Sequence, residues 1–254
     1  KDNKKAKRIV VKVGSAVVLP VRGVQDKPIF DRLAPDIHNW KKHGKEFVIV
    51  SSGAIALGMK KLGITKRPAT IPERQAIAAV GQGALMSSYE AAFSKHGEKV
   101  AQVLLTHDDI SNRKRFLNAR NTLTTLLNYG IVPIINENDT VAVDEIKFGD
   151  NDRLAALTTS LVEADLLVIL TNVGGLYDKN PEKDPSARKI DLVEDVDGIC
   201  SGGLDKSASA FGTGGIISKC EAAKTAAHFG VPTIIAMGFS DKALDGILEG
   251  AEVG

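Results

Sequence analysis

The sequence predicts an α/β protein built on a mostly parallel sheet with helices on both faces. Apolar runs rich in β-branched residues, typical of buried strands, alternate along the chain with segments of helical spacing. Small or polar turns follow these runs, as in Gly14-Ser15, Ser51-Ser52-Gly53 and Thr171-Asn172. Because the carboxyl ends of parallel strands meet at one edge of a sheet, where ligands bind, these turns predict a single site at that edge.

Composition and charge restrict the function classes. The 254 residues suit one domain, with no break or repeat over residues 1–254, and residues 1–7 are expected to form a basic, solvated tail. A net charge of +2 gives no electrostatic reason to expect nucleic acid as the main partner. Two cysteines make no disulfide framework. No apolar run approaches the roughly 20 residues of a membrane span, and no signal peptide precedes the first strand, so we expect a cytoplasmic protein.

The predicted elements follow in order. Strands are expected at residues 8–13, 47–50, 100–105, 131–135, 165–170 and 231–236. Helices are expected at 29–43, 55–62, 72–95, from 111, from about 154 to 161, at 216–228 and at 241–248. In the long third helix, Ala76, Ala79 and Gly83 form a small-residue face that favours close packing on the sheet or on a partner subunit. The cations of residues 111–120 are interpreted as a solvated helix face, and residues 171–188 as a long irregular loop.

Two strand ends carry residues suited to an anion. Lys12 lies near the end of an otherwise apolar run, and a buried lysine is costly unless an anion meets it. It is either an edge-strand lysine that points to solvent, or a phosphate contact beside Gly14, where a ligand can approach the backbone. Ser51-Ser52-Gly53 either caps the following helix or directs its N–H groups at an anion.

Residues 136–152 concentrate Asn and Asp at one strand end and one helix start. The apolar strand is expected to stop at Asn136, where N-E-N-D begins, and Val141 to Phe148 suggest a short hairpin. G-D-N-D then precedes a helical pattern. A turn and a helix cap explain each half separately, but capping requires only one such residue. The stretch therefore favours a polar pocket for a small, multiply charged ligand.

A glycine-rich turn and a second lysine indicate a polyphosphate site. Gly212 to Gly215 supply unhindered backbone N–H groups, and Lys219 falls about one turn into the next helix. The sequence contains neither a P-loop nor a dinucleotide-binding fingerprint. Phosphoryl transfer requires positioning and positive charge, which two lysines, a helix N-terminus and Mg²⁺ supply. Asp139, Asp150 and Asp152 would orient the lysines, hold a substrate ammonium group or hold metal-bound water. The five histidines are scattered and lack zinc-ligand spacing.

Taken together, and in this order, the motifs resemble the amino acid kinase family. They are K-V-G-S, V-S-S-G-A-I-A-L-G, I-N-E-N-D with G-D-N-D, L-T-N-x-x-G-L-Y and G-T-G-G-I-I-S-K. R-F-L-N-A-R-N-T (115–122) and V-P-I-I-N-E-N-D (132–139) are most similar to the members that phosphorylate glutamate. The resemblance extends from Arg8 to about Gly254. It implies a three-layer αβα sandwich and one kinase domain, in the shorter form without a C-terminal RNA-modification-type (PUA) domain.

The same resemblance implies the activity. The γ-phosphate of ATP would pass to the side-chain carboxylate of L-glutamate, giving γ-glutamyl phosphate for proline biosynthesis. Members of this kind typically need Mg²⁺, assemble as dimers or tetramers, and are often inhibited by proline at or near the glutamate site.

Residue roles are implied position by position. Lys12 and Lys219 match the lysines that contact the transferred phosphoryl group, and Asp152 matches the aspartate that organises them. The glutamate-binding positions correspond to Ser52, Asp139 and Asn151. The ATP-binding positions correspond to Lys12, Thr171, Asn172, Thr213, Gly214, Gly215, Ile216, Ile217, Ser218 and Lys219. No residue is assigned as a direct metal ligand.

Three other interpretations stay open. One is another member of the family, such as an acetylglutamate, carbamate or uridylate kinase, which would share the lysines and glycine turns but differ in I-N-E-N-D. The second is a non-catalytic amino acid sensor on the same fold, against which the presence of both lysines argues. The third is an RNA-binding protein that uses residues 113–120, against which the near-neutral charge argues.

Overall fold

The protein is built on a parallel sheet. A computed structural model describes residues 3–19, 27–66, 68–142, 151–179, 184–199 and 216–251. Within these ranges six parallel strands form one sheet, in the order β3-β4-β2-β1-β5-β8. Its strands are β1 (Arg8–Val13), β2 (Glu46–Ser51), β3 (Val100–Leu105), β4 (Val132–Glu137), β5 (Leu166–Thr171) and β8 (Thr233–Met237). Two short strands, β6 (Leu176–Tyr177) and β7 (Lys189–Ile190), pair antiparallel.

Helices connect the strands. They are α1 (Ser15–Val18), α2 (Ile29–Lys42), α3 (Ala54–Leu62), α4 (Ile71–Ser94), α5 (His107–Ser111), α6 (Arg113–Asn128), α7 (Asn151–Leu161), α8 (Val196–Gly198), α9 (Ile216–His228) and α10 (Ala243–Glu249). A 3₁₀ turn, Asn3–Lys5, precedes β1. No helix in the described ranges is long and apolar enough to cross a membrane.

Strand alternation divides the interior into two cores. Ile9, Val11 and Val13 of β1 pack with α1, α2, α4 and α10 on one face of the sheet. Val10 packs with α6, α7 and α9 on the other face. Because side chains alternate along a strand, Lys12 points to the same face as Val10. The predicted α/β architecture with helices on both faces is therefore confirmed, and β1 is a central strand rather than an edge.

The long helix α4 packs on the sheet through a different face from the one predicted. Leu85, Tyr89 and Phe93 are fully buried against β1 and β2. Ala76, Ala79 and Gly83 are exposed, so the alternative that they pack on the sheet is wrong, and packing on a partner subunit stays a prediction. Larger side chains take the inner face because they fill the space between helix and sheet and bury more apolar area.

Helix α3 crosses α4 at close backbone contact. A Cβ on Gly81 would lie 1.7 Å from the carbonyl oxygen of Ala54, and one on Gly58 would lie 2.1 Å from that of Ile77. Only glycine fits at either position. The crossing fixes the first turn of α3, which directly follows Ser52 and Gly53.

Three other predictions need correction. The fourth strand does not stop at Asn136 but continues through Glu137, because β3 continues to pair alongside it. The loop 171–188 is not wholly irregular, since it contains β6. The N-terminal tail is partly docked: Asn3 Nδ2 donates to Ile247 O at 3.1 Å, and Lys45 Nζ donates to Lys4 O at 2.7 Å. The predicted hairpin lies largely outside the described residues.

Asp36 makes the stability of the fold depend on pH. Its carboxyl group is 7% exposed, and burial, followed by the charge of Asp245, raises its pKa to about 7. Lys242 and the N–H groups of Leu244 and Asp245 oppose this shift. Between the unfolded pKa near 4 and the folded pKa near 7, the folded protein holds more protons, so its stability falls as pH rises through this window.

We expect Asp36→Asn to remove most of this pH dependence, because the amide never ionises. Melting temperatures measured from pH 4 to 8 should show the variant matching wild type near pH 4 and exceeding it above pH 7. The matched control is Asp31→Asn on the same helix, which is more exposed and pairs with Lys95. A wild-type melting temperature that does not fall from pH 4 to 7 would contradict the raised pKa.

Candidate active site

A buried cluster of charges lies at the carboxyl edge of the sheet. Lys12 Nζ lies 2.5 Å from Asp152 Oδ1, and Lys219 Nζ lies 3.2 Å from Asp152 Oδ2. Ser218 Oγ donates to Asp152 Oδ2 at 3.0 Å. The Lys12, Asp152 and Lys219 side chains are 4%, 0% and 8% exposed. One carboxylate therefore joins the end of β1 to the first turns of α7 and α9.

Two ammonium groups that share one carboxylate indicate an anion site. Lys12 and Lys219 both contact Asp152, and all three side chains lie largely out of contact with water. In such surroundings an anion is attracted strongly to an ammonium group, because little solvent screens the interaction. A phosphate group that approaches this edge of the sheet would meet both lysines. The interpretation of Lys12 as an edge-strand lysine is wrong, because β1 is central and Lys12 is buried.

A second, uncharged network lies beside the first. Asn151 is the first residue of α7, next to Asp152, and its Nδ2 has three acceptors. They are Ser52 Oγ at 2.9 Å, the Ser51 carbonyl at 3.1 Å and Asn136 Oδ1 at 2.8 Å. The amide thus ties the ends of β2 and β4 to the start of α7. This confirms that the two polar strand ends and the helix start predicted from sequence meet.

Two side chains of helix α4 make hydrogen bonds to this network. Tyr89 Oη donates to Ser51 Oγ at 2.9 Å, and burial raises the pKa of Tyr89, which keeps the hydroxyl protonated at neutral pH. Asn136 Nδ2 donates to Gln82 Oε1 at 2.8 Å. Gln82 and Tyr89 lie about two turns apart, on one face of the helix. Sequence analysis missed both residues; their helical spacing on the face toward the strand ends is the signal that could have found them.

The other predicted site residues fall around the same edge. Thr171 ends β5, is buried, and donates through Oγ1 to Asn172 Oδ1 at 3.2 Å. Asp139 lies half-buried in the turn after β4, where its N–H donates to Glu137 O at 2.9 Å. Ile216 and Ile217 begin α9. Asp150, Thr213, Gly214 and Gly215 lie outside the described residues.

The sequence is similar to those of proteins of one family. The sequence profile of the amino acid kinase family matches residues 7–237, most of the chain. The chain belongs to the amino acid kinase family. A glutamate 5-kinase of Geobacter metallireducens is 50% identical over 251 residues, which is 99% of this chain and 67% of the relative. A glutamate 5-kinase of Syntrophotalea carbinolica is 52% identical over 252 residues, 98% of this chain and 66% of the relative. The chain thus spans about two thirds of the length of these kinases.

Solved structures of the family confirm the sandwich. Isopentenyl phosphate kinase superposes with a TM-score of 0.63 at 19% identity, covering 96% of each chain. Carbamate kinase from Giardia lamblia, bound to AMP-PNP, superposes with a TM-score of 0.65 at 16% identity, also over 96% of each chain. At such low identity the likeness extends to the fold alone.

Asp152 contacts both lysines, so its loss should destabilise the protein more than the loss of one lysine. Asp152→Asn weakens two buried ion pairs at once, and removing one partner of such a pair destabilises by about 3–5 kcal/mol. Lys219→Met keeps the contact of Lys12 with Asp152, so it should cost less. Melting temperature without ligand measures both. Equal losses in the two variants would show that Asp152 is not the shared partner that stabilises both lysines.

Proposed function

We propose that this kinase transfers the γ-phosphoryl group of ATP to the side-chain carboxylate of L-glutamate. The products are ADP and γ-glutamyl phosphate, an acyl phosphate that enters proline biosynthesis. The observation that carries the chemistry is the buried pair of lysines held by Asp152. The substrate is supported by relatives about half identical over nearly the whole chain, all of them glutamate 5-kinases.

The reaction requires positioning and charge rather than covalent catalysis. One oxygen of the glutamate carboxylate forms a bond to the γ-phosphorus, and the bond from that phosphorus to the β-phosphate oxygen of ADP breaks. Lys12 and Lys219 stabilise negative charge on the transferred group, and Asp152 keeps their ammonium groups at fixed positions. A lysine about 4 Å from a phosphoryl oxygen gains roughly 4 kcal/mol at an effective dielectric near 20.

Substrate and nucleotide occupy opposite sides of the lysines in this proposal. Ser52, Asp139 and Asn151 hold glutamate, with the Asp139 carboxylate paired to its ammonium group. Thr171, Asn172 and the segment from Thr213 to Lys219 hold ATP. Asn151, which donates to Ser52, directly precedes Asp152 in the chain, and this suits an acceptor next to the transferred phosphate.

Three further features belong to the same proposal. Mg²⁺ bound with ATP would neutralise part of the phosphate charge; among the described residues no three His, Cys, Asp or Glu side chains form a metal cluster. Proline inhibits by binding at or near the glutamate pocket. The enzyme works as a homo-oligomer. Family resemblance supports all three.

A direct assay separates this function from its alternatives. ADP release from MgATP is measured with L-glutamate, N-acetyl-L-glutamate, carbamate and UMP in turn, with hydroxylamine to trap any acyl phosphate. Hydroxamate formed with free glutamate alone is the expected result. Activity only with another acceptor would assign a different member of the family. Inactivity with all four would favour a non-catalytic sensor.

Lys219→Ala should abolish turnover and leave glutamate binding intact, because the lysine contacts the phosphoryl group rather than the acceptor. Loss of such a charge typically costs roughly 10²–10³ in rate. Steady-state kcat and calorimetric glutamate affinity measure the two effects. Lys224→Ala is the control, since this exposed lysine lies on the same helix and pairs with Asp197. Turnover within a few-fold of wild type would show that Lys219 does not take part in the reaction.

Asp139→Ala should weaken the binding of glutamate far more than that of ATP, because in this proposal the carboxylate pairs with the ammonium group of the acceptor. We expect KM for glutamate to rise at least about tenfold, the loss of one charge-assisted hydrogen bond, and KM for ATP to change less than about threefold. Asp139→Asn keeps the size and tests the charge alone. A parallel rise in both KM values would contradict the assignment of Asp139 to the glutamate side.

A further inference from the structure

Gln82 connects the acceptor pocket to helix α4 and to the edge of the sheet. This half-buried side chain accepts through Oε1 from Asn136 Nδ2 at 2.8 Å. It donates through Nε2 to Gln102 Oε1 on β3 at 2.9 Å. Asn136 in turn contacts Asn151. Three carboxamides, those of Gln82, Asn136 and Asn151, thus form one hydrogen-bonded chain that ends at the acceptor pocket.

Backbone groups fix the direction of this chain. Asn136 Oδ1 accepts from the Glu137 N–H at 2.9 Å, and a backbone N–H can only donate. Asn136 Nδ2 must therefore face Gln82. Asn151 Nδ2 donates to the Ser51 carbonyl at 3.1 Å, and a carbonyl can only accept. The side-chain nitrogen of Asn151 therefore faces Ser51, Ser52 and Asn136, and its oxygen points away from these three residues.

The ordered amides leave one acceptor and one donor for a ligand. Asn151 Oδ1 is buried and has no hydrogen-bond partner among the residues that the structure describes. A buried acceptor without a donor is unfavourable, so a ligand that supplies an N–H gains from it. Ser52 Oγ accepts from Asn151, which leaves the hydroxyl proton of Ser52 available to donate. An amino acid, with an ammonium group and a carboxylate, complements this pair of groups.

We propose that Gln82 is a positioning residue for the acceptor, which it orients through Asn136 and Asn151. Gln82 holds the nitrogen of Asn136, Asn136 holds the nitrogen of Asn151, and the oxygen of Asn151 then receives the acceptor's ammonium group. This inference rests on the proposed function with glutamate. It also gives a basis for specificity, since a site with a buried acceptor rejects substrates that bring no donor to it.

Gln82 is needed because, among the residues that the structure describes, it is the one that accepts from the side-chain nitrogen of Asn136. Without the Gln82 oxygen, Asn136 Nδ2 loses its partner at 2.8 Å, and the side chain gains by rotating away. Rotation would withdraw the oxygen that Asn151 contacts. Gln102 holds Gln82 from the far end, and Tyr89 holds Ser51 from the same face of α4. In metal sites, mutation of residues that orient the ligands in this way typically costs 10–100-fold in affinity or activity, and we expect an effect of similar size here.

Three substitutions at Gln82 separate hydrogen-bond direction from packing. Gln82→Glu keeps an acceptor toward Asn136, Gln82→Met removes it at similar size, and Gln82→Lys replaces it with a donor. We expect KM for L-glutamate to change less than about threefold in Gln82→Glu, to rise about tenfold in Gln82→Met, and to rise further in Gln82→Lys. KM for ATP and the melting temperature should stay near wild type in all three.

Competitive inhibition by glutarate supplies the second readout. Glutarate lacks the ammonium group, so its inhibition constant should be unchanged in Gln82→Met while KM for glutamate rises. A purely structural role for Gln82 would weaken both compounds equally.

The outcomes distinguish two failures. A wild-type enzyme that does not phosphorylate glutamate would overturn the proposed function and this inference with it. An active wild type whose Gln82→Met and Gln82→Lys variants keep KM for glutamate within about twofold would overturn the role of Gln82 alone. A parallel loss of glutarate and glutamate binding would do the same.

Discussion

The contact of Asp152 with Lys12 and Lys219 is the constraint on which the site depends. It joins the central strand to the first turns of two helices that are far apart in sequence. Ion pairs buried this deeply seldom stabilise a fold, because removing both charges from water offsets their attraction. The arrangement fits the proposed binding of an anion better than a role in stability, and the two apolar cores supply that stability.

The alternation of side chains along β1 makes this contact possible. Alternation along β1 directs Val11 and Val13 toward α2 and α4, and Lys12 toward α7 and α9. A shift of one residue in register would turn Lys12 to the opposite face, away from Asp152. Pairing with β2 and β5 on both sides prevents such a shift, because the flanking residues of β1 are fully buried.

Local pattern predicted much of this architecture, since strand alternation, helical spacing and polar strand ends all lie within short windows of sequence. The sheet and the polar strand ends with both lysines were predicted in this way, whereas the roles of Asp152, Ser52 and Asn151 came from the family resemblance and stay predictions. The sequence could not reveal Gln82, Tyr89 or the crossing at Gly81, because their roles depend on partners about 27 to 54 residues away in the chain. The small-residue face of α4 does not pack on the sheet, and its neighbour was not predictable because helical spacing identifies a face but not what covers it.

The site has two parts, the lysines around Asp152 and the uncharged network around Asn151, and each bears differently on the repulsion between the substrates. A glutamate carboxylate and a triphosphate are both anions, and at a few ångströms their repulsion opposes the reaction. In the proposed reaction the two lysines counter this repulsion with positive charge. Asp152 neutralises part of that charge but fixes the positions of the two ammonium groups. In the proposed arrangement the network around Asn151 contacts the acceptor with neutral amides and hydroxyls, including that of Ser52, while the Asp139 carboxylate pairs with its ammonium group. Carboxylates in place of the amides would add to the repulsion between acceptor and triphosphate, so dipoles whose direction is fixed by backbone groups suit the positions next to the lysines.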